Sequence, residues 1–157
     1  MKTINDWLEA YGESHQNPTN KLIHWFCVPV ITFTLLGLLA LINYEFSFNG
    51  SIYNINLASI LFIIAIIFYL RLSISITIGM FLFTGICLTY INKLESIFEI
   101  QLLVKYYLFI FVIAWIGQFI GHKIEGKKPS FFEDIQFLLI GPAWLLSFIY
   151  KKLNISL

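Results

Sequence analysis

Four long apolar runs constrain the fold of this chain more than any other feature. They cover residues 26–44, 57–70, 74–91 and 101–121. A helix needs about 17–25 mostly apolar residues to span a bilayer. The second run is shorter than that, but the third follows it almost directly after Arg71. We therefore predict that residues 57–91 form a tight helical hairpin with Arg71 at its turn, where the long side chain reaches the membrane surface.

The composition supports a membrane protein of one domain. Of the 157 residues, 59% are hydrophobic and 12% are charged, whereas soluble domains are about 45–50% apolar and about 25% charged. A soluble domain of this size keeps too much of its surface exposed to bury so many apolar side chains. The length predicts a single domain over residues 1–157. A formal net charge of +1 gives no basic surface for nucleic acid.

Two further segments complete the predicted fold. Residues 135–150 form a fifth apolar stretch, but Gly141-Pro142 interrupts it, and proline removes a backbone donor and kinks a helix. This stretch is expected to span, to lie in the interface or to re-enter the membrane. Trp7 and Tyr11 predict a short N-terminal helix on the membrane surface. The predicted fold is all-α: a polytopic helical bundle with four to five apolar helices and this interfacial helix.

The loop charges predict an orientation for the multi-pass bundle. Residues 44–56 contain no Lys or Arg, so this loop is expected on the outside of the membrane. The inside is then marked by Arg71, Lys123, Lys127 and Lys128. Lys93, on the second outer loop, is the exception. Four predicted crossings separate His24 from His122, so all the histidines of the chain are expected at one face, the cytoplasmic one.

The first polar cluster surrounds the start of the first apolar run. Asn17 followed by Pro18 is a typical N-cap and first residue of a helix. On that helix Asn20 and His24 would share one face, since they are four residues apart. His15 lies just before the cap and is able to fold back toward His24. The structural alternative is that His15 is solvated and His24 is an ordinary hydrogen-bonded helix residue.

The second polar cluster ends the fourth apolar run. Gly117 and Gly121 form a G-x-x-x-G pair, which allows a close helix contact, either within the chain or in a homo-oligomer. Gln118 and His122 share a helix face, and Glu125 follows His122 by three residues, a spacing that aims two ligands at one metal in di-iron bundles. The alternative is a helix end whose basic side chains satisfy terminal carbonyls.

Together the two clusters place every histidine at a predicted membrane edge. Ionisable groups beside a transmembrane bundle are candidates for function. Three imidazoles, with or without a carboxylate, match a mononuclear site for zinc or non-haem iron, and the spacing alone does not name the metal. Cys27 and Cys87 lie in apolar stretches without C-x-x-C spacing and are interpreted as buried thiols.

The same residues carry a resemblance to a known family. The first motif is His15-x4-Asn20-x3-His24-x4-Pro29, and the second is Gln118-Phe119-Ile120-Gly121-His122-x2-Glu125-x3-Pro129, followed by Gly141-Pro142. In this order, around four apolar runs, they resemble the Mpo1-like family. The resemblance extends from about Tyr11 to Trp144.

The resemblance implies an iron(II)-dependent dioxygenase of fatty-acid α-oxidation. Such an enzyme uses O2 to convert a 2-hydroxy long-chain fatty acid into the acid one carbon shorter. On the matching positions, the Fe(II) ligands would be His15, His24 and His122. Asn20 and Gln118 would support these ligands from behind, and our candidate catalytic residues are Glu125, Asn20 and Gln118. Lys127 or Lys128 is a candidate for holding the substrate carboxylate as a point charge.

Two other functions fit the same residues. A zinc-dependent membrane hydrolase acting on a lipid would use the three histidines for the metal and Glu125 as the base for a metal-bound water. A non-catalytic membrane module would use the histidines only to satisfy helix ends. Iron chemistry is favoured over zinc for the oxygen-dependent reaction because zinc has no redox chemistry.

Overall fold

A computed structural model describes residues 2–126 and 136–157 of the chain, and these residues are mostly helical. The helices described are α1 (Ile4–Gly12), α2 (Pro18–Ala40), α3 (Leu57–Leu70), α4 (Ile74–Glu95), α5 (Ile100–Glu125) and α6 (Gln136–Lys152). Among them, α2, α4 and α5 are long and apolar enough to cross a membrane, and α3 is a shorter apolar helix. The predicted helical bundle is thus confirmed.

The start of α2 follows the predicted capping. The side-chain oxygen of Asn17 accepts hydrogen bonds from the backbone N–H groups of Thr19 and Asn20, at 2.9 and 3.4 Å. Pro18 occupies the first turn, where its missing N–H would have no helical partner. This cap places Asn20 and His24 on the inner face of α2, where both are buried.

The predicted hairpin between the second and third apolar runs is also present. Arg71 is the C-cap of α3, and the hydroxyl of Ser73 accepts the backbone N–H of Ile76 at the start of α4. Only Arg71-Leu72-Ser73 separate the two helices, so α3 and α4 must be antiparallel neighbours. The exposed Arg71 marks one end of the bundle, which we call the Arg71 end.

A small β-hairpin occupies the segment that we predicted as an outer loop. Strands β1 (Asn43–Phe48) and β2 (Ser51–Asn56) pair antiparallel, and both residues of the turn, Asn49 and Gly50, have positive φ angles of 51° and 79°. Asn-Gly is the preferred sequence for such a two-residue turn because both residues tolerate positive φ. The Asn49-Gly50 dipeptide therefore indicates a hairpin, which our prediction of a loop did not include.

Helix α5 packs closely along α2, and the two glycines of the G-x-x-x-G pair lie in this contact. A Cβ atom on Gly117 would lie 2.8 Å from Sγ of Cys27, and one on Gly121 would come closer still to Oδ1 of Asn20. Both distances are too short for real atoms, so only glycine fits. The pair therefore serves a contact within the chain and no longer argues for a homo-oligomer.

Helix α6 lies across the Arg71 end of the bundle. The hydroxyl of Tyr69 donates to the carbonyl of Leu139 at 2.7 Å, and that of Tyr150 donates to the carbonyl of Ser75 at 2.8 Å. Tyr69 and Ser75 flank the Arg71 turn, whereas Leu139 and Tyr150 belong to opposite ends of α6. Both ends of α6 therefore contact the same end of the bundle, and the helix continues through Gly141-Pro142.

The N-terminal helix α1 packs on α6. Trp7 and Tyr11 are buried, with exposed fractions of 9% and 7%, and they form one hydrophobic cluster with Ile140 and Trp144 of α6. The short helix is present as predicted, and its position at the membrane surface stays a prediction. The rings of Trp7 and Tyr11 hold α1 against the rest of the protein.

Candidate metal centre

The fold brings the three histidines together at the Arg71 end. His15 follows α1, His24 lies in the second turn of α2, and His122 lies in the last turn of α5. One ligand nitrogen from each lies within 4.8 Å of the others. Their exposed fractions are only 0%, 1% and 5%. Neither a solvated His15 nor a set of separate helix-end histidines agrees with this arrangement.

Backbone carbonyls determine which ring nitrogen carries the proton in two of these histidines. Nδ1 of His15 lies 2.6 Å from the carbonyl oxygen of Tyr11, and Nδ1 of His24 lies 2.9 Å from that of Asn20. Because a carbonyl only accepts hydrogen bonds, Nδ1–H is the donor in both rings. In each neutral imidazole Nε2 is then left with a lone pair.

These two lone pairs face each other. Nε2 of His15 and Nε2 of His24 are 2.9 Å apart, and two neutral rings have no proton to place between them. Burial lowers the pKa of His15, which disfavours an imidazolium that would supply one. Two imidazole nitrogens bound to one ion at about 2.0–2.1 Å are about 2.8–3.4 Å apart for bond angles of roughly 90–110°. The pair therefore has nearly the spacing and the electron pairs of two metal ligands.

The third ring completes the cluster. The centroid of His122 lies 5.0 Å from those of both His15 and His24. Within the described ranges, its buried Nδ1 has no hydrogen-bond partner, and neither has Oε1 of Gln118 one turn earlier. Buried polar atoms are rarely left unpaired in folded proteins. A bound cation, or a ligand held by that cation, would provide a partner for these atoms. The residues present therefore fit a metal ion.

Aromatic side chains that our sequence analysis did not assign to the site hold His15 in place. Tyr11 stacks on the His15 ring with centroids 4.3 Å apart and planes 9° apart. The centroid of Trp144 lies 5.2 Å from the same ring. The four-residue spacing between Tyr11 and His15 was the available signal for the first contact. Nothing local pointed to Trp144, because it comes from α6.

Glu125 links the two polar clusters without joining the histidine group. One carboxylate oxygen accepts the backbone N–H of Gln16 at 2.8 Å. The other accepts the backbone N–H of Asn17 at 2.9 Å and the side-chain N–H of Asn20 at 3.0 Å. The end of α5, which carries His122, is thereby tied to the loop that follows His15.

The histidines line a cleft with an empty volume of about 440 Å³, part of which is open to solvent. Gln118 of α5 and Tyr11 of α1 also face it, and the opposite wall comes from α6, with Phe137, Leu138, Gly141 and Pro142. The centre is therefore buried in the protein but borders a space that can admit a ligand.

Comparison with known proteins agrees with this geometry. Residues 1–153 match the family described as 2-hydroxy-palmitic acid dioxygenase Mpo1-like. The chain belongs to the Mpo1-like family. It is 30% identical over 151 residues to the 2-hydroxy-palmitic acid dioxygenase MPO1 of Saccharomyces cerevisiae. The matched region covers 94% of this chain and 80% of the yeast protein. No solved structure matches the chain.

The structure brings some of the predicted site residues of this Mpo1-like chain together, while others lie outside its described part. His15, His24 and His122 form one buried group, and Gln118 lines its cleft. Asn20 is fully buried beside His24, with Oδ1 lacking a partner in the part of the chain that is described. The predicted substrate-binding residues Lys127 and Lys128 lie outside the described residues.

Proposed function

We propose that this chain is an iron(II)-dependent membrane dioxygenase of fatty-acid α-oxidation, which converts a 2-hydroxy long-chain fatty acid and O2 into the acid one carbon shorter. The observation that carries the proposal is the buried group of three histidines, in which the Nε2 atoms of His15 and His24 face each other. The relationship to a yeast protein named as a 2-hydroxy-palmitic acid dioxygenase supports the reaction.

Iron fits this reaction better than zinc. When bound to the three imidazoles, iron(II) would supply the redox chemistry that O2 requires and would accept the carboxylate and hydroxyl oxygens of the substrate. The overall reaction RCH(OH)COOH + O2 → RCOOH + CO2 + H2O balances without an added reductant. The protein therefore needs to bind the acid, exclude water and hold the ligands in place.

Gln118 is the residue we assign to the substrate hydroxyl. Its side chain is 5% exposed and lines the histidine cleft, and its Oε1 atom has no partner among the described residues. An unpaired acceptor at this position is available to a hydroxyl donor on the substrate. Asn20 acts behind the ligands, because its backbone carbonyl orients the His24 ring. Lys127 and Lys128 remain our candidates for the substrate carboxylate.

Glu125 acts as a positioning residue in this proposal. Its two oxygens accept hydrogen bonds from Gln16, Asn17 and Asn20, so it is not a free base facing the cleft. The hydrolase alternative required such a base, and the geometry therefore favours it less. The non-catalytic module is also disfavoured, since isolated helix-end histidines would not be expected to share one buried group.

The histidine centre belongs at the cytoplasmic face in this proposal. The segment 44–56 at the opposite end of the bundle contains no Lys or Arg, whereas Arg71 and Lys123 lie near the centre. This asymmetry follows the preference of basic residues for the cytoplasmic side. The substrate, O2 and the bilayer are then the partners of the enzyme, with the acid arriving by diffusion in the membrane.

The decisive experiment is turnover by the protein purified in detergent and loaded with iron(II). With 2-hydroxypalmitate labelled with ¹³C at C1, we expect equal consumption of acid and O2, release of labelled CO2 and formation of the acid one carbon shorter. The zinc-loaded protein and the iron-loaded protein without O2 should be inactive. Iron-loaded protein that leaves the acid and O2 unchanged would contradict the proposal, as would oxygen-independent lipid hydrolysis by the zinc form.

A further inference from the structure

A second cavity adjoins the histidine cleft and extends into the centre of the bundle. It has an empty volume of about 570 Å³ and lies between α2, α3, α4 and α6. Four residues line both spaces, namely Ile31, Thr32, Leu138 and Pro142. The cleft and the second cavity are therefore adjacent, with the histidines at one end of the pair and the bundle interior at the other.

The walls of this second cavity, which we call the tail cavity, offer few polar partners. The hydroxyl of Thr32 donates to the carbonyl of Val28 at 2.9 Å, and that of Tyr69 donates to the carbonyl of Leu139 at 2.7 Å. Both of these donors are therefore already used, and the hydroxyl of Thr84 on α4 is the further polar group in the lining. Much of the remaining lining is aliphatic or aromatic: Leu35, Leu36, Leu61, Phe62, Ala65 and Met80. A polar ligand would lose hydrogen bonds here, whereas a hydrocarbon would not.

The length of the space also limits its occupant. Leu36, at the far end of the tail cavity, follows His24 by twelve residues on α2, which corresponds to a rise of about 18 Å. This is the length of an extended long-chain acyl group. We propose that the tail cavity holds the hydrocarbon chain of the 2-hydroxy acid whose carboxyl end lies at the histidines. This inference rests on the proposed function.

Steric fit, not hydrophobic gain, would select the chain length. An acyl chain in the bilayer is already in apolar surroundings, so moving it into the tail cavity gains little. Ala65 is the small residue halfway along α3, one turn from Tyr69 near the entrance and one turn from Leu61. Leu61 packs on the cluster that contains Leu36 at the far end. A larger side chain at position 65 should close the far half of the space.

Substitution at this position tests the specificity. In Ala65→Phe we expect the ratio of turnover for long over short 2-hydroxy acids to fall about 10- to 100-fold, since overfilling a packed site has a cost of that size, while metal content stays unchanged. Thr84→Phe, on the α4 wall, should lower the same ratio. The matched control is Ile64→Phe, because Ile64 is 54% exposed on the other side of α3. An unchanged ratio in both cavity variants would overturn the proposal.

A second measurement does not depend on turnover. A long-chain 2-hydroxy acid with a diazirine on its terminal carbon is photolysed with the unmodified protein, and the labelled residues are mapped by mass spectrometry. We expect labelling at residues lining the tail cavity, such as Leu61 and Thr84, and its loss in Ala65→Phe. Labels confined to outward-facing residues such as Ile63 would overturn the proposal. Labelling of the cavity without any oxygen-dependent turnover would support the tail cavity while contradicting the proposed dioxygenase.

Discussion

The Nε2 atoms of His15 and His24 face each other at 2.9 Å, while Nδ1 of each ring donates to a backbone carbonyl. Both donating contacts join residues four apart in the chain, so the direction of each lone pair follows from local structure. Their meeting does not, because His15 lies outside α2. In a buried site this arrangement is unfavourable for two neutral rings and favourable once a cation accepts both electron pairs.

Metal binding should therefore stabilise the protein through these rings. We expect the purified chain to hold about one equivalent of metal. When the free metal concentration is about 100 times Kd, removing the metal with a chelator should lower the free energy of unfolding by about 2.7 kcal/mol. His24→Ala should bind less metal and show no effect of the chelator on unfolding. Metal analysis and thermal unfolding in detergent measure both. Leu22→Ala is the control, since Leu22 is 59% exposed on the same helix; equal metal content in wild type and His24→Ala would contradict the site.

Replacing Glu125 separates a positioning role from a catalytic one. In Glu125→Gln one acceptor oxygen becomes an amide donor that faces backbone N–H groups, so the loop after His15 loses part of its anchorage. We expect metal affinity to fall about 10-fold or more, with kcat near the wild-type value at saturating iron. A catalytic base would instead lower kcat about 10²- to 10⁴-fold at saturating iron. Glu99→Gln, at the opposite end of α5, is the matched control in metal titrations.

The contact between α2 and α5 predicts a compensating pair of substitutions. Gly117→Ala should destabilise the protein by about 1–3 kcal/mol, because the new methyl group meets Sγ of Cys27. In the Cys27→Ala background the same substitution should cost much less, and a double-mutant cycle of unfolding free energies measures the difference. Gly85→Ala is the control, since a Cβ there meets nothing within 4 Å. Additive effects of Gly117→Ala and Cys27→Ala would argue against this packing.

Gln118→Leu should affect activity and stability in opposite ways. Removing a buried acceptor that has no partner among the described residues should leave stability unchanged or raise it by about 1 kcal/mol. We expect turnover of a 2-hydroxy acid to fall at least about 10-fold if one hydrogen bond to the substrate hydroxyl is lost. Unfolding and steady-state assays on the same preparation test both. Full activity of the variant would exclude Gln118 from substrate binding.

Much of the fold could be predicted because it depends on neighbours in the chain. Asn17 caps α2 and Arg71 ends α3 through hydrogen bonds to residues within a few positions, and the apolar runs set the lengths of the long helices. The hairpin turn also depends on two adjacent residues, Asn49 and Gly50. It could therefore have been predicted from the sequence, and our prediction of a loop there missed it. The orientation of α6 was different, because it depends on contacts of Tyr69 and Tyr150 across the bundle.

The sequence by itself determined the membrane class, the order of the helices and the set of three histidines that form the candidate centre. Only the tertiary structure decided that Gly117 and Gly121 bring α5 onto α2 within one chain, that Trp144 packs beside His15, and that Glu125 holds a loop. The physical reason is that capping and apolar length act through adjacent residues. The position of a carboxylate or an indole at the site depends instead on how helices far apart in the chain pack against one another.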